Sequence, residues 1–311
     1  MTLAKTTNRY SIKPLGAKPE TYPGYSEKLI VSHFENNYAG AVKRLNAITA
    51  RLDALDPAAA VFEWNGLKRE EVVAYNSMLL HEIYFEAIGA PVPPPAELAA
   101  AIDRDFGSFA NWKARFAASA KALAGGSGWV VLVRENRDGR LAIQWSADHT
   151  MGFAGATPLL ALDMYEHAYH MDYGAKAGAY VDAYFGAIDW TQAGRRWRNA
   201  EPAKDPHAVT LDDLAGIDGV FVDARRGPTY AASTEILPGA LRVDPAAPDG
   251  AKAGLPRDRE IVVYCVLGFS FSQDTAAALR AQGYRARYLD TGIAGWRAMG
   301  NPLAPKKGEP A

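Results

Sequence analysis

One cysteine, Cys265, among 311 residues excludes an intrachain disulfide and fits a reducing compartment, so a cytoplasmic location is expected. Neither sign of charge is in surplus. Lys and Arg number 34 against 35 Asp and Glu, a net charge of −1, and without a basic excess nucleic acid is not an expected partner. No apolar stretch approaches the ~20 residues of a membrane span, so no membrane partner is expected. The opening residues, Met1-Thr-Leu-Ala-Lys-Thr-Thr-Asn-Arg9, have no apolar secretory core, and export by a standard signal is not expected. Histidine is scarce too: His33, His81, His149, His167, His170 and His207 are all there are, so their placement carries information. What is plentiful is apolar surface. Hydrophobic residues make up 49% of the chain, enough for the cores of two domains.

Residues 1–25 form a Pro- and Gly-bearing lead-in. From Ser26, a good N-cap, apolar residues recur at helical steps past His33. A second helix is expected over 69–88, with His81 inside it. Pro91, Pro93, Pro94 and Pro95 break the pattern, and helices near 96–105 and 108–123 follow. The run 125–133 switches to a strand signal, with a second strand at 140–146 and a third apolar run at 158–162. Residues 164–196 turn helical again. The polar, Pro-bearing stretch 198–207 reads as a linker. Beyond it, short strands at Gly219-Val-Phe-Val-Asp-Ala224, Glu260-Ile-Val-Val-Tyr-Cys265 and Arg287-Tyr-Leu-Asp290 alternate with helices near 211–214, 272–282 and 293–299. That alternation indicates a small parallel α/β sheet. The tail 305–311 is polar.

The most informative run is Asp163-Met-Tyr-Glu-His167, where a carboxylate and an imidazole stand four residues apart after an apolar segment. One anionic oxygen and one neutral nitrogen are half of a site for iron or manganese. His33 and His81, on successive helices, complete it if antiparallel helices aim both rings into the space between them. Taken alone, each is equally a core histidine with one hydrogen bond. Three histidines and one aspartate leave the open position that catalysis requires.

These runs carry a resemblance. Residues 10–197 resemble an iron/manganese superoxide dismutase, on Asn46 with the helix around His33, His81-x-x-Tyr84-Phe85, Phe106-Gly-Ser-Phe109, Gly126-Ser-Gly-Trp-Val-Val-Leu-Val133, Leu141-Ala-Ile143 and Ala156-Thr-Pro-Leu-Leu-Ala-Leu-Asp-Met-Tyr-Glu-His-Ala-Tyr169. The resemblance implies an α+β fold, with an N-terminal helical hairpin (26–92) and a C-terminal mixed α/β part (93–197). It implies His33, His81, Asp163 and His167 as ligands of one ion per subunit, iron ahead of manganese, and conversion of superoxide to dioxygen and hydrogen peroxide. It puts His149 where a side chain hydrogen-bonds the solvent ligand of the metal, with Ser77 at the alternative position on the second helix. It makes Glu166 a contact to the partner's ligand histidine, hence a homodimer, and places Tyr84 close by. Three positions depart. Asn37 and Ala41 stand where a channel histidine and tyrosine are usual, and His170 replaces a tyrosine. His170 is either a proton donor or a plain interface residue. In an α-helix Tyr38, at i+5 from His33, points about 140° away and does not replace the missing tyrosine.

Cys265 ends a strand, and a loop leading into a helix follows it. Loop N–H groups at a helix N-terminus stabilise a thiolate and bind anions, although a lone cysteine is equally a buried hydrophobe. Residues 208–304 resemble a rhodanese-like domain, on Val222-Asp-Ala-Arg225, Leu237-Pro-Gly-Ala240, Leu255-Pro-Arg-Asp-Arg-Glu-Ile-Val-Val-Tyr-Cys265 and Leu289-Asp-Thr-Gly-Ile-Ala-Gly-Trp-Arg-Ala-Met-Gly-Asn-Pro302. The resemblance implies a persulfide-forming Cys265 and an acidic Asp223. The loop is one residue longer than usual, Phe271 stands in place of an arginine and Ile236 in place of a histidine. The expected function is superoxide dismutation with an appended thiol domain. Two alternatives stay open: a metal-binding redox or oxyanion stress sensor switched by Cys265, and a sulfurtransferase whose first domain is a dimerising scaffold.

Overall fold

A computed structural model describes residues 9–136, 139–198 and 205–306. The chain divides into two compact units, one spanning Pro19–Ala203 and the other Lys204–Ala311 together with Met1–Lys18. Most of the expected linker and tail lie outside the described residues. Among the described residues no helix is long and apolar enough to cross a membrane.

The first unit opens with helix α1 (Glu27–Ser32), capped by Ser26, whose hydroxyl accepts from the Leu29 N–H at 3.1 Å. Asp172 accepts from both the N–H and the hydroxyl of Ser26, at 2.7 and 2.6 Å. The helix then departs from expectation. His33–Tyr38 form a π-helical turn, in which the Ala39 N–H donates to the Phe34 carbonyl five residues back, before α2 (Ala39–Ala54) resumes α geometry. The antiparallel partner α3 (Val61–Ala87) starts eight residues ahead of the expected helix. Its first turns are tied to α2 by cross-helix pairs, Arg51 with Glu63 at 2.7 Å and Arg44 with Glu70.

Helices α4 (Ala96–Phe106) and α5 (Phe109–Lys121) precede an antiparallel sheet of β1 (Trp129–Glu135), β2 (Leu141–Ser146) and β3 (Ala156–Asp163), in the order β2-β1-β3. Residues 129–133 and 159–162 are continuous, fully buried apolar runs. Trp129 pairs with Asp163 in register, which puts the carboxylate beside the indole at the sheet end. Gly128 makes this corner possible. Its φ is +145°, and a Cβ there would stand 2.0 Å from the Ser146 carbonyl oxygen. The segment after Asp163 is not one helix. It breaks into a 3₁₀ turn (Glu166–Ala168), α6 (His170–Tyr173), α7 (Ala177–Gly186) and α8 (Thr191–Arg198). Gly174 (φ +54°) and the bridges Ile88–Ile188 and Val92–Asp189 interrupt the helical path.

The second unit is a five-stranded parallel sheet of β4 (Ala208–Val209), β5 (Gly219–Asp223), β7 (Leu241–Arg242), β8 (Glu260–Tyr264) and β9 (Ala286–Leu289), in the order β4-β9-β8-β5-β7. A two-stranded ribbon pairs β6 (Glu235–Ile236) with β10 (Ala304–Pro305). Successive residues of β8 serve opposite faces. Ile261 and Val263 pack with Ala276 and Leu279 of α10 (Ser270–Ala281), while Val262 and Tyr264 pack with Ile293 and Trp296 of α11 (Gly292–Ala298). Helix α9 (Gly227–Ala232) and the two-residue strands were not anticipated.

Candidate metal centre

Asp163 is the last residue of β3 and is fully buried. Its Oδ1 accepts from the Tyr165 N–H at 2.8 Å, an Asx-type turn that ends the strand and brings His167 back over it. Its Oδ2 is the focus of three imidazoles. His33 Nε2 and His167 Nε2 lie 3.1 Å away and His81 Nε2 3.5 Å. All four donor atoms fall within 4.8 Å of one another. Two donors about 2.1 Å from a common ion and at right angles are about 3.0 Å apart, so the spacing suits one first-row metal ion.

The protonation states suit it as well. His81 Nδ1 lies 2.6 Å from the main-chain carbonyl of Ser77, which can only accept, so the proton is on Nδ1 and the lone pair on Nε2. That Nε2 is buried with no hydrogen-bond partner, the orphan a metal would satisfy. Burial lowers the His33 and His81 imidazoles, His81 down to about 3 with the His33 charge adding to the effect. Burial alone would raise the Asp163 carboxyl, but the surrounding imidazoles, His167 foremost, hold it well below the usual range. Neutral imidazoles and an ionised carboxylate are the forms that bind metal. His167, with 28% of its side chain exposed, alone of the four borders solvent.

His149 stands beside this cluster, stacked on Tyr165 at 4.8 Å and edge-on to Trp129 at 5.8 Å. Its Nδ1 is 2.9 Å from the Tyr165 hydroxyl, its Nε2 is buried without a partner, and burial lowers its pKa. The Asn76 amide holds its main-chain carbonyl at 2.6 Å. Tyr84 is buried with its ring centroid 5.2 Å from that of His33. Asn37 is half-buried on the π turn and Ala41 is buried, while Glu166 and His170 are exposed.

One expectation is overturned. The π turn carries about one more residue per turn than an α-helix, so Tyr38 comes round to the His33 side. Its ring lies 6.5 Å from His81 and 6.2 Å from Phe85, and its hydroxyl donates to Glu82 Oε1 at 3.0 Å. Tyr38 and Glu82 are both buried. Trp129, packed 5.1 Å from His81, and Tyr165 also surround the centre. Both lie inside the motif runs, which was the available signal for them. Nothing in the sequence marks the Ser77 carbonyl.

In the second unit Cys265 follows β8 at the C-terminal end of the parallel sheet, where ligands of such sheets bind. The thiol is buried, with Sγ 3.2 Å from Ser272 Oγ at the start of α10. Gly268 (φ +79°) lets the loop pass the Asp290 carbonyl, which a Cβ would meet at 2.0 Å. Asp223 is buried and ion-paired with Arg225 at 2.6 Å, and it accepts from the Tyr264 hydroxyl at 2.8 Å. It is a structural brace rather than a free acid.

Three imidazoles and a carboxylate converge between a helical hairpin and an antiparallel sheet, a cluster that could hold one metal ion. The family model described as iron/manganese superoxide dismutases, C-terminal domain, matches residues 94–196, and the model of the rhodanese-like domain matches residues 208–299. The chain is 60% identical over 192 residues to a superoxide dismutase [Fe] of Cupriavidus metallidurans, covering 61% of this chain and 98% of that protein. It is 31% identical over 204 residues to a superoxide dismutase [Fe] of Pyrobaculum aerophilum (63% and 95% covered) and 30% identical over 200 residues to superoxide dismutase [Mn] 1 of Halobacterium salinarum (62% and 97%). The chain belongs to the iron/manganese superoxide dismutase family and carries a rhodanese-like domain after it.

Proposed function

We propose that this protein is a superoxide dismutase that holds one iron ion, or alternatively manganese, per subunit through His33, His81, Asp163 and His167. The observation that carries the reading is the convergence of four donor atoms within 4.8 Å around a buried carboxylate. When bound, the metal supplies a one-electron redox couple that oxidises one superoxide to dioxygen and reduces a second to hydrogen peroxide, two protons being consumed. The chain's own residues set the conditions. Ser77 fixes the His81 ring so that Nε2 faces the centre. Burial, with the Asp163 charge adding, raises the Tyr165 hydroxyl to about 12 and keeps it protonated. It donates to His149 Nδ1, which leaves a proton on His149 Nε2, a donor without another protein partner. His149 is thereby the group that hydrogen-bonds solvent or substrate at the centre and passes a proton there.

Exposed Glu166 and His170, flanking His167 on the open side, support a homodimer that closes over this edge, Glu166 meeting the partner's ligand histidine. Half-buried Asn37 belongs to the same approach. A cytoplasmic location, favoured by the single cysteine, completes the reading. The test is superoxide disappearance with purified protein of known metal content. Turnover is expected from the native chain and loss of both metal and turnover in His81→Ala. Metal-loaded native protein without turnover would overturn the assignment.

For the second unit, the position of Cys265 at the sheet's C-terminal end supports transfer of sulfane sulfur to its thiolate. The buried Ser272 contact and the aromatic loop make this a slow acceptor until the loop opens. Thiosulfate treatment followed by cyanide is expected to release thiocyanate from the native chain and none from Cys265→Ser. Equal release from both would exclude Cys265.

A further inference from the structure

A string of phenols leads away from the metal centre. The Tyr84 ring lies 5.2 Å from His33, and its hydroxyl oxygen is 3.3 Å from that of Tyr180. Tyr180 donates to the main-chain carbonyl of Asp163 at 2.7 Å, so the second phenol is also anchored on a donor residue. Its ring centroid is 6.1 Å from that of Tyr173, which is partly exposed and whose hydroxyl donates to the Gly24 carbonyl. Tyr84 and Tyr180 are completely buried. Packing alone does not require hydroxyls here, because burying them is costly unless each is bonded. Phe116, fully buried with its ring 5.4 Å from Trp112, fills a comparable place without one.

We propose that Tyr84, Tyr180 and Tyr173 form an electron relay through which the metal centre draws electrons from the surface when it meets hydrogen peroxide, making Tyr173 a radical and modification site. The proposal rests on the dismutase reading, since peroxide is the product of that reaction and the bound metal supplies the one-electron steps. At one centre a peroxide needs two electrons and two protons: Tyr173 gives one electron through the relay and releases its proton to solvent, and the reduced metal, when bound and re-formed in each dismutation cycle, would give the other electron as it becomes oxidised. With two protons taken from solvent the O–O bond breaks and two waters form. The interior phenols pass the electron and are restored, so the change left on the chain is at Tyr173.

The experiment uses the iron-loaded full-length chain, exposed to hydrogen peroxide with a nitrone spin trap and analysed by peptide mass spectrometry, with superoxide turnover measured on the same samples. The trap adduct is expected on Tyr173. It should fall at least tenfold in Tyr180→Phe and in Tyr84→Phe, be absent in Tyr173→Phe, and be absent in metal-free protein. An adduct on Tyr173 that persists in Tyr180→Phe and Tyr84→Phe, or in metal-free protein, means direct attack from solution and overturns the relay. Oxidation confined to His33 and His81 in the native chain overturns it as well. Superoxide turnover without a Tyr173 adduct sinks the relay alone. A metal-dependent, relay-dependent adduct without turnover sinks the dismutase reading and leaves the relay, and a chain that binds no metal overturns both.

Discussion

Replacing Tyr38 with Phe removes one oxygen atom, and the π turn decides what that costs. The Tyr38 hydroxyl donates to Glu82 Oε1 at 3.0 Å, and both residues are buried. A hydrogen bond to a charged group contributes about 1.5–3 kcal/mol, and removing one partner from a buried pair leaves the other under-solvated. Glu82 keeps the field of nearby Arg196, which puts the expected loss near the lower end, about 1.5 kcal/mol, or roughly tenfold in the unfolding equilibrium. With urea slopes of about 1–3 kcal/mol per molar, the unfolding midpoint of the first unit should move down by about 0.5–1.5 M. Were residues 33–38 an ordinary α-helix, Tyr38 would lie about 140° from His33, away from Glu82, and losing a hydroxyl without that partner would be worth within about 0.5 kcal/mol. The assay is urea unfolding of metal-loaded protein followed by circular dichroism. A Tyr38→Phe midpoint within about 0.2 M of the native one would refute both the Tyr38–Glu82 hydrogen bond and the π-turn placement that creates it.

Two further substitutions test the corners of each unit. Asp290 is buried with Oδ1 unpartnered, and burial, with Asp213 and Asp212 adding to it, raises its carboxyl to about 7. The unfolded chain releases this proton near pH 4, so between about pH 4 and 7 the folded form binds more protons and stability falls as pH rises. Asp290→Asn should therefore gain about 2–4 kcal/mol relative to the native chain on going from pH 5 to pH 8, read by urea unfolding at both pH values; a difference that does not change with pH would contradict the burial argument. Gly128→Ala forces a Cβ to within 2.0 Å of the Ser146 carbonyl at a φ of +145°. It should cost about 1–3 kcal/mol or more and lower metal occupancy by moving Trp129 against Asp163, and native thermal stability with full metal content would count against that geometry.

The donor set was legible because the four residues sit in runs of distinctive spacing, although the reason they meet differs from a helical i, i+4 pair. Asp163 ends a strand, and the Asx turn onto Tyr165 N–H with the 3₁₀ turn after it returns His167 to the carboxylate. Residue type also marked His149, while the tautomer of His81 is set by a main-chain carbonyl that no sequence pattern displays. The π turn was illegible for a similar reason. Phe34, Tyr38, Val42 and Leu45 are buried at steps that an α-helix also produces, so the apolar pattern does not reveal one added residue per turn. The first turns of α3 carry exposed ion pairs to Arg44 and Arg51 of α2, contacts between helices that no local apolar pattern displays, and strands of two residues such as β7 are too short to show alternation.

The central claim is tested most directly by reconstituting metal-free protein with measured amounts of iron and following superoxide turnover against bound iron per chain. The account predicts a linear rise that saturates at one ion per chain and vanishes in His81→Ala. Turnover that is independent of bound metal, or a fully loaded chain that leaves superoxide untouched, would contradict it.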